Sequence, residues 1–213
     1  HVIVGEPVIR LEELFKGDGR DETLYWELSS AAQHPDGHLR AEHTMRKVEE
    51  GGWDVVILQG VMYSTSGKYD YPLDADVELC EAIFKHGGAS LRLLLFPEWK
   101  QRGNDGEEVR AQAACEKLLS LIGRGEIVPV GFAWERVLDA QSNLALHDTD
   151  GNHASAVGAY LTACTWYAAI TGRDPRGLPA PDDLKISEAE RTTLQAAAWE
   201  AVRAERVRTA SDE

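Results

Sequence analysis

Trp53-Asp54-Val55-Val56-Ile57-Leu58-Gln59 carries an unbroken apolar run behind Asp54, with Gly51-Gly52 before it and Gly60 after it. β-Branched residues without polar alternation suit a strand buried on both faces, and such strands belong to parallel sheets covered by helices. Leu91-Arg92-Leu93-Leu94-Leu95-Phe96 has the same character. Between the two runs, residues 75–87 have helical spacing and stop near Gly87-Gly88. The alternation continues outward. Toward the N-terminus, residues 2–5 read as a strand, 8–16 as about two helical turns, 23–29 as a second strand, 33–37 as a loop and 38–50 as a helix. Toward the C-terminus, 106–122 reads as a helix, 127–131 as the fifth strand and 134–140 as a helix. A small-residue helix follows to about 170, then a Pro/Gly-rich linker at 172–181 and a last helix over 187–206. The expectation is an α/β fold, a three-layer α/β/α sandwich with a mainly parallel five-stranded sheet. It forms one domain over residues 1–208, with a polar, frayed tail at 209–213.

Composition narrows the function. A chain of 213 residues, 43% hydrophobic and 27% charged, has the make-up of one globular domain with a sizeable core. Its net charge of −14 argues against nucleic-acid partners and anionic membrane surfaces, both of which need a positive footprint. No run is long and apolar enough to span a bilayer. Cys80, Cys115 and Cys164 are scattered and odd in number, so a reducing, cytoplasmic setting is expected. The chain opens on His1 directly before an apolar run, which carries the expectation of a trimmed natural start.

The chemistry concentrates in Asp148-Thr149-Asp150-Gly151-Asn152-His153, at the mouth of the small-residue helix. A carboxylate three residues before a histidine suits an imidazole-orienting pair, in which Asp150 fixes the tautomer and stabilises the imidazolium. The plainer reading makes Asp150 a helix cap and His153 a surface residue. A cation site from His147, Asp148, Asp150 and His153 fails the calcium-loop pattern: the glycine comes early, and the twelfth position is Ala159. In parallel sheets the chemistry sits at the carboxyl ends of the strands. Those ends are Gly5-Glu6-Pro7, the loop at Gly37, Gln59-Gly60 and Pro97-Glu98-Trp99, and the Asp150/His153 loop is expected to converge on them. Gln59 is either a polar donor in a site or a strand-end residue bonded to backbone. Glu6 is a candidate nucleophile or base, or an exposed strand-end charge. Glu98 and Trp99 are candidate pocket residues. Ser64, Ser66, Ser29 and Ser30 offer hydroxyls, but read first as polar loop residues.

The ensemble Gly52-Trp-Asp-Val-Val-Ile-Leu-Gln59, Pro97-Glu-Trp99, Val128-Pro-Val-Gly-Phe-Ala-Trp134 and Asp150-x-x-His153 resembles the bacterial branch of the SGNH (GDSL-type) hydrolase superfamily. The resemblance runs over roughly residues 44–204. It implies a flavodoxin-like sandwich and a hydrolase of a small ester, with an O-acetyl group or a carbohydrate-like substrate in view. It also implies His153 as base, Asp150 as its orienter, the Gly37 N–H and Gln59 as oxyanion donors, and no cofactor or metal. The family's nucleophilic serine would fall at the third residue of Gly5-Glu6-Pro7, where this chain has Pro7, which offers neither hydroxyl nor N–H. Two alternatives therefore stand beside the hydrolase. One is a binding pseudoenzyme. The other is a lyase or direct hydrolase in which His153 acts as base, with Glu6 or Glu98 assisting. A second copy of the chain is a further candidate partner.

Overall fold

The computed structural model describes residues 5–19, 35–59, 63–140 and 143–211. These fall into two compact units.

The first unit to consider holds the sheet. Strands β1 (Val55–Gln59), β2 (Arg92–Phe96) and β3 (Glu126–Ile127) lie in the order β1-β2-β3, all parallel, with Val55 opposite Arg92, Gln59 opposite Phe96 and Leu95 opposite Ile127. With them go α2 (Pro35–Arg40), α3 (Glu42–Glu50), α4 (Asp74–Gly87) and α5 (Glu107–Ile122). Leu58, Leu93, Leu95, Leu79, Cys80, Ile83, Cys115 and Leu118 form one buried cluster between strands and helices. Helix α5 stops at Gly123, which takes φ +72° and returns its N–H to the Leu119 carbonyl at 2.9 Å. Gly51 ends α3 at φ +61°, and a Cβ there would stand 2.4 Å from the His86 carbonyl oxygen, so only glycine fits.

The other unit is helical. It comprises α1 (Gly5–Gly17), the segment Trp99–Gly103 and everything from Val128 on, including α6 (Val130–Asp139), α7 (Ala156–Thr171) and α8 (Glu188–Ser211). Helix α7 is its centre and packs against α1, α6 and α8. Its residues from Gly158 to Ala169 are all buried, because small side chains let neighbours approach from every side. Arg10 on α1, 6% exposed, is held by a bidentate pair to Asp183 in the Asp182–Leu184 turn at 2.9 and 2.6 Å.

Several expectations need correction. The described residues hold a parallel sheet of three strands, and a five-stranded one is not shown. The strand expected at 23–29, and residues 2–4 of the one expected at 2–5, lie outside the described residues, and Gly5 opens α1. Burial on both faces holds for β2, flanked by a strand on each side, whereas in β1 only Leu58 is buried. The fifth strand stops at Ile127, and Val130 starts a helix instead of closing the strand. Pro129 has no N–H to extend a ladder, and Val130, Trp134 and Val137 are buried at helical spacing. Gly37 is the third residue of helix α2, not a loop residue. The 38–50 helix is two pieces that break at Ala41. Helix α8 continues to Ser211, so 209–211 are not a frayed tail; Thr209 bonds back to the Glu205 carbonyl at 3.2 Å.

Candidate active site

The Asp150/His153 segment is a narrow hairpin in the helical unit. His147 pairs antiparallel with Ala154, Asp148 N–H donates to the His153 carbonyl at 2.8 Å, and Ser155 N–H to the Leu146 carbonyl at 2.8 Å. The tip turns at Gly151, whose φ of +75° favours glycine and whose N–H reaches the Asp148 carbonyl at 3.0 Å. Ser155 then caps α7, its Oγ accepting from Gly158 N–H at 3.1 Å. Asp150 is therefore not the helix cap.

Asp150 instead closes on its own loop. Oδ1 accepts the backbone N–H of Asn152 at 2.9 Å and of His153 at 3.0 Å, and Oδ2 accepts from His153 Nδ1. The Asn152 amide first, then the His153 ring and the His153 amide, hold the Asp150 carboxyl well below the usual carboxylate range. A carboxylate can only accept, so the proton of the neutral ring sits on Nδ1 and the lone pair on Nε2. The His153 side chain is 23% exposed, so the ring is reachable while its far edge is anchored. The ring is thus held in one tautomer by an ionised partner.

The segment after β2 builds the support. Trp99 Nε1–H donates to the Asn152 carbonyl at 2.9 Å, and Arg102 N–H to the Gly151 carbonyl at 2.8 Å. The Trp99 ring stacks on Trp134, centroids 4.1 Å apart and planes within 7°. Trp134 is fully buried, and its Nε1–H donates to Thr162 Oγ1 on α7 at 3.2 Å. His147 stands edge-on to Trp134 and donates from Nε2 to the Lys100 carbonyl at 2.7 Å. Of the four residues weighed as cation ligands, His147 Nε2 is spent on a carbonyl, Asp148 Oδ1 accepts its neighbour's amide at 2.6 Å, and Asp150 and His153 bond each other. Among the described residues no group of three or more His, Cys, Asp or Glu is placed to hold a metal.

The remaining candidates divide between the units. Trp99 belongs with the hairpin as a supporting residue. Gly5 and Glu6 lie in the first turn of α1 with Pro7, which is buried there. First-turn positions lack an intrahelical N–H partner, so proline is tolerated. In the sheet unit, Gln59 donates from Nε2 to Glu98 Oε1 at 2.6 Å. Beyond it, Tyr63 Oη donates to Glu107 at 3.1 Å, and Glu107, 1% exposed, also accepts Asn104 Nδ2 at 2.8 Å. Burial, with the charges of Glu98 and Glu107, raises the Tyr63 phenol far above its ordinary value. Ser64 is a loop anchor: its Oγ accepts the amides of Lys68 at 3.1 Å and Tyr69 at 3.3 Å. Ser29 and Ser30 lie outside the described residues. The roles of Trp134, His147 and Arg102 were not read from sequence. Only the tryptophans in Pro97-Glu-Trp99 and Phe132-Ala-Trp134 hinted at them.

No protein-family profile matches the chain, and no curated protein does. Among solved structures it is similar to the crystal structure of a DUF4886 family protein from Bacteroides uniformis, at 22% identity and a TM-score of 0.62. The match covers 74% of this chain and 65% of that one, so the chain spans about two thirds of that protein's length. The likeness is one of fold. No helix among the described residues is long and apolar enough to cross a membrane.

Proposed function

We propose that the protein is a hydrolase of a small ester, O-acetyl or carbohydrate-borne, that works through the Asp150–His153 pair. The observation behind it is the Asp150 carboxylate bonded to His153 Nδ1, which leaves Nε2 as the ring's basic nitrogen. A hydroxyl adds to the ester carbonyl carbon as His153 Nε2 takes its proton, and Asp150 stabilises the imidazolium. The imidazolium returns that proton to the departing alcohol. Water, activated by the same nitrogen, then cleaves the acyl intermediate. The fold that goes with this reading is the three-layer α/β/α sandwich of the SGNH type.

Pro7, buried in the first turn of α1, favours a second reading in which His153 activates water directly and no acyl-enzyme forms. Fluorophosphonate labelling with peptide mass spectrometry, on wild type and His153→Ala, separates the two. A labelled serine that is lost in the variant supports the covalent route and names its nucleophile. His153-dependent turnover without label supports direct hydrolysis. Ester turnover unchanged in folded His153→Ala removes both.

A further inference from the structure

We infer that Trp99 is a positioning residue for the acid–base pair, acting through the peptide group between Asn152 and His153. The inference rests on reading Asp150–His153 as that pair. This one peptide is held at both ends. Its carbonyl accepts the Trp99 indole N–H at 2.9 Å, and its N–H donates to Asp150 Oδ1 at 3.0 Å. Rotation of the peptide breaks both bonds at once. A donor on the carbonyl also polarises the amide and strengthens its N–H toward the carboxylate. With Oδ1 occupied by the amides of Asn152 and His153, Oδ2 is aimed at the ring nitrogen.

The indole is itself fixed. It lies flat on Trp134, which is fully buried and tied to Thr162. The next residues hold the same hairpin: the Lys100 carbonyl accepts from His147, and Arg102 N–H donates to Gly151. The stack on Trp134 contributes stability, while the indole N–H of Trp99 makes the bond to the loop that carries His153. A residue that merely lined a pocket would not have its N–H spent on the Asn152 carbonyl.

The test reads the tautomer of His153 directly. Long-range imidazole ¹H–¹⁵N spectra are recorded at about pH 9, where an ordinary imidazole is neutral. The His153 signals are identified by their loss in His153→Ala. Wild type is expected to show the Nδ1–H form alone. Trp99→Phe keeps a ring against Trp134 and removes the donor; there the Nε2–H form should rise to roughly a third of the population or more, because each loosened bond shifts the balance several-fold. Trp134→Phe removes part of the stack and keeps the indole N–H, so it should lower the melting temperature and retain the single tautomer. A single Nδ1–H form in folded Trp99→Phe overturns the inference, as does equal loss in Trp134→Phe. Should Trp99→Phe not fold, exchange of the His153 amide in wild type decides: protection of about tenfold or more upholds the inference, and none overturns it. Ester turnover is measured separately on the same proteins. A tautomer change in Trp99→Phe without wild-type turnover upholds the inference and removes the proposed hydrolase, whereas a wild type lacking the Nδ1–H form overturns both.

Discussion

Gln59, the last residue of β1, donates its side-chain amide to Glu98, two residues beyond β2, at 2.6 Å. A carboxylate can only accept, so the amide is oriented with Nε2 toward it. The bond ties the ends of two neighbouring strands whose backbones already pair Gln59 with Phe96. Hydrogen bonds to charged groups contribute about 1.5–3 kcal/mol, and the partly buried setting places this one at the lower end. Gln59→Leu should lower the unfolding free energy by about 1–2 kcal/mol at unchanged denaturant slope. Glu98→Gln, which preserves an amide acceptor, should cost less. Urea unfolding measures both: equal costs would mean that the charge on Glu98 supplies the whole contribution of the bond, and no cost for Glu98→Gln that the charge contributes nothing.

Asp150→Asn keeps an oxygen for the amides of Asn152 and His153 but puts an NH₂ where Oδ2 accepted the ring proton. The ring must then turn or change tautomer, which misplaces the lone pair. Turnover should fall on the order of 10²–10⁴-fold, with a modest loss of stability. The depressed Asp150 pKa also fixes a sign. Its stabilising effect is complete above the ordinary carboxylate range and fades only as pH drops through the lower folded value. Asp150 thus stays ionised through the neutral range, so in the proposed hydrolase no ionisation of this carboxyl should appear in the acid limb of a pH–rate profile. A carboxylate ionisation near pH 4–5 would contradict this.

Legibility followed sequence distance. Strand β2 was readable as an apolar run closed by Pro97, and helices α4 and α5 because each is a run of one period with glycine at its end. The stretch after Ile127 was not, because Val130-Gly-Phe-Ala-Trp134 is apolar at every position and fits either period; Pro129 decided it. The Asp150–His153 pair was readable because its bonds span two and three residues. Its support was not, because Trp99, Trp134 and Thr162 come from segments that only the fold brings together.

Alkaline pH should unfold this protein progressively. Burial pushes the Cys80 thiol up to about 12, aided by the charges of Asp76 and Glu81, and pushes Cys164 up to about 12. Exposed thiols ionise near pH 8.5. Above that the unfolded chain releases protons that the folded chain retains, so stability falls as pH rises toward the folded values. Tyr63 and Tyr160, also raised by burial, add to the slope above about pH 10. Between pH 8.5 and 10 the two thiols alone should remove about 3–4 kcal/mol. Denaturant melts at the two pH values test this, and Cys80→Ala with Cys164→Ala should flatten the decline even where it lowers the starting stability.

His147 and His153 sit on facing arms of one hairpin, and the geometry gives their rings opposite tautomers. His147 is 7% exposed, edge-on to Trp134, and commits its Nε2–H to the Lys100 carbonyl. That nitrogen donates, so it cannot take a proton from a nucleophile. His153 has its proton on the other nitrogen, against Asp150. His147→Phe preserves a ring beside Trp134 and removes one donor, which should cost about 1–2 kcal/mol and lower the melting temperature by several degrees. Turnover should stay within about threefold of wild type, whereas His153→Ala should lose about 10³-fold or more with little change in melting temperature. The pairing of the two measurements carries the assignment: stability moves with one histidine and rate with the other. A folded His147→Phe protein as inactive as His153→Ala would reverse it, and would mean that the buried ring gives up the Lys100 carbonyl during turnover.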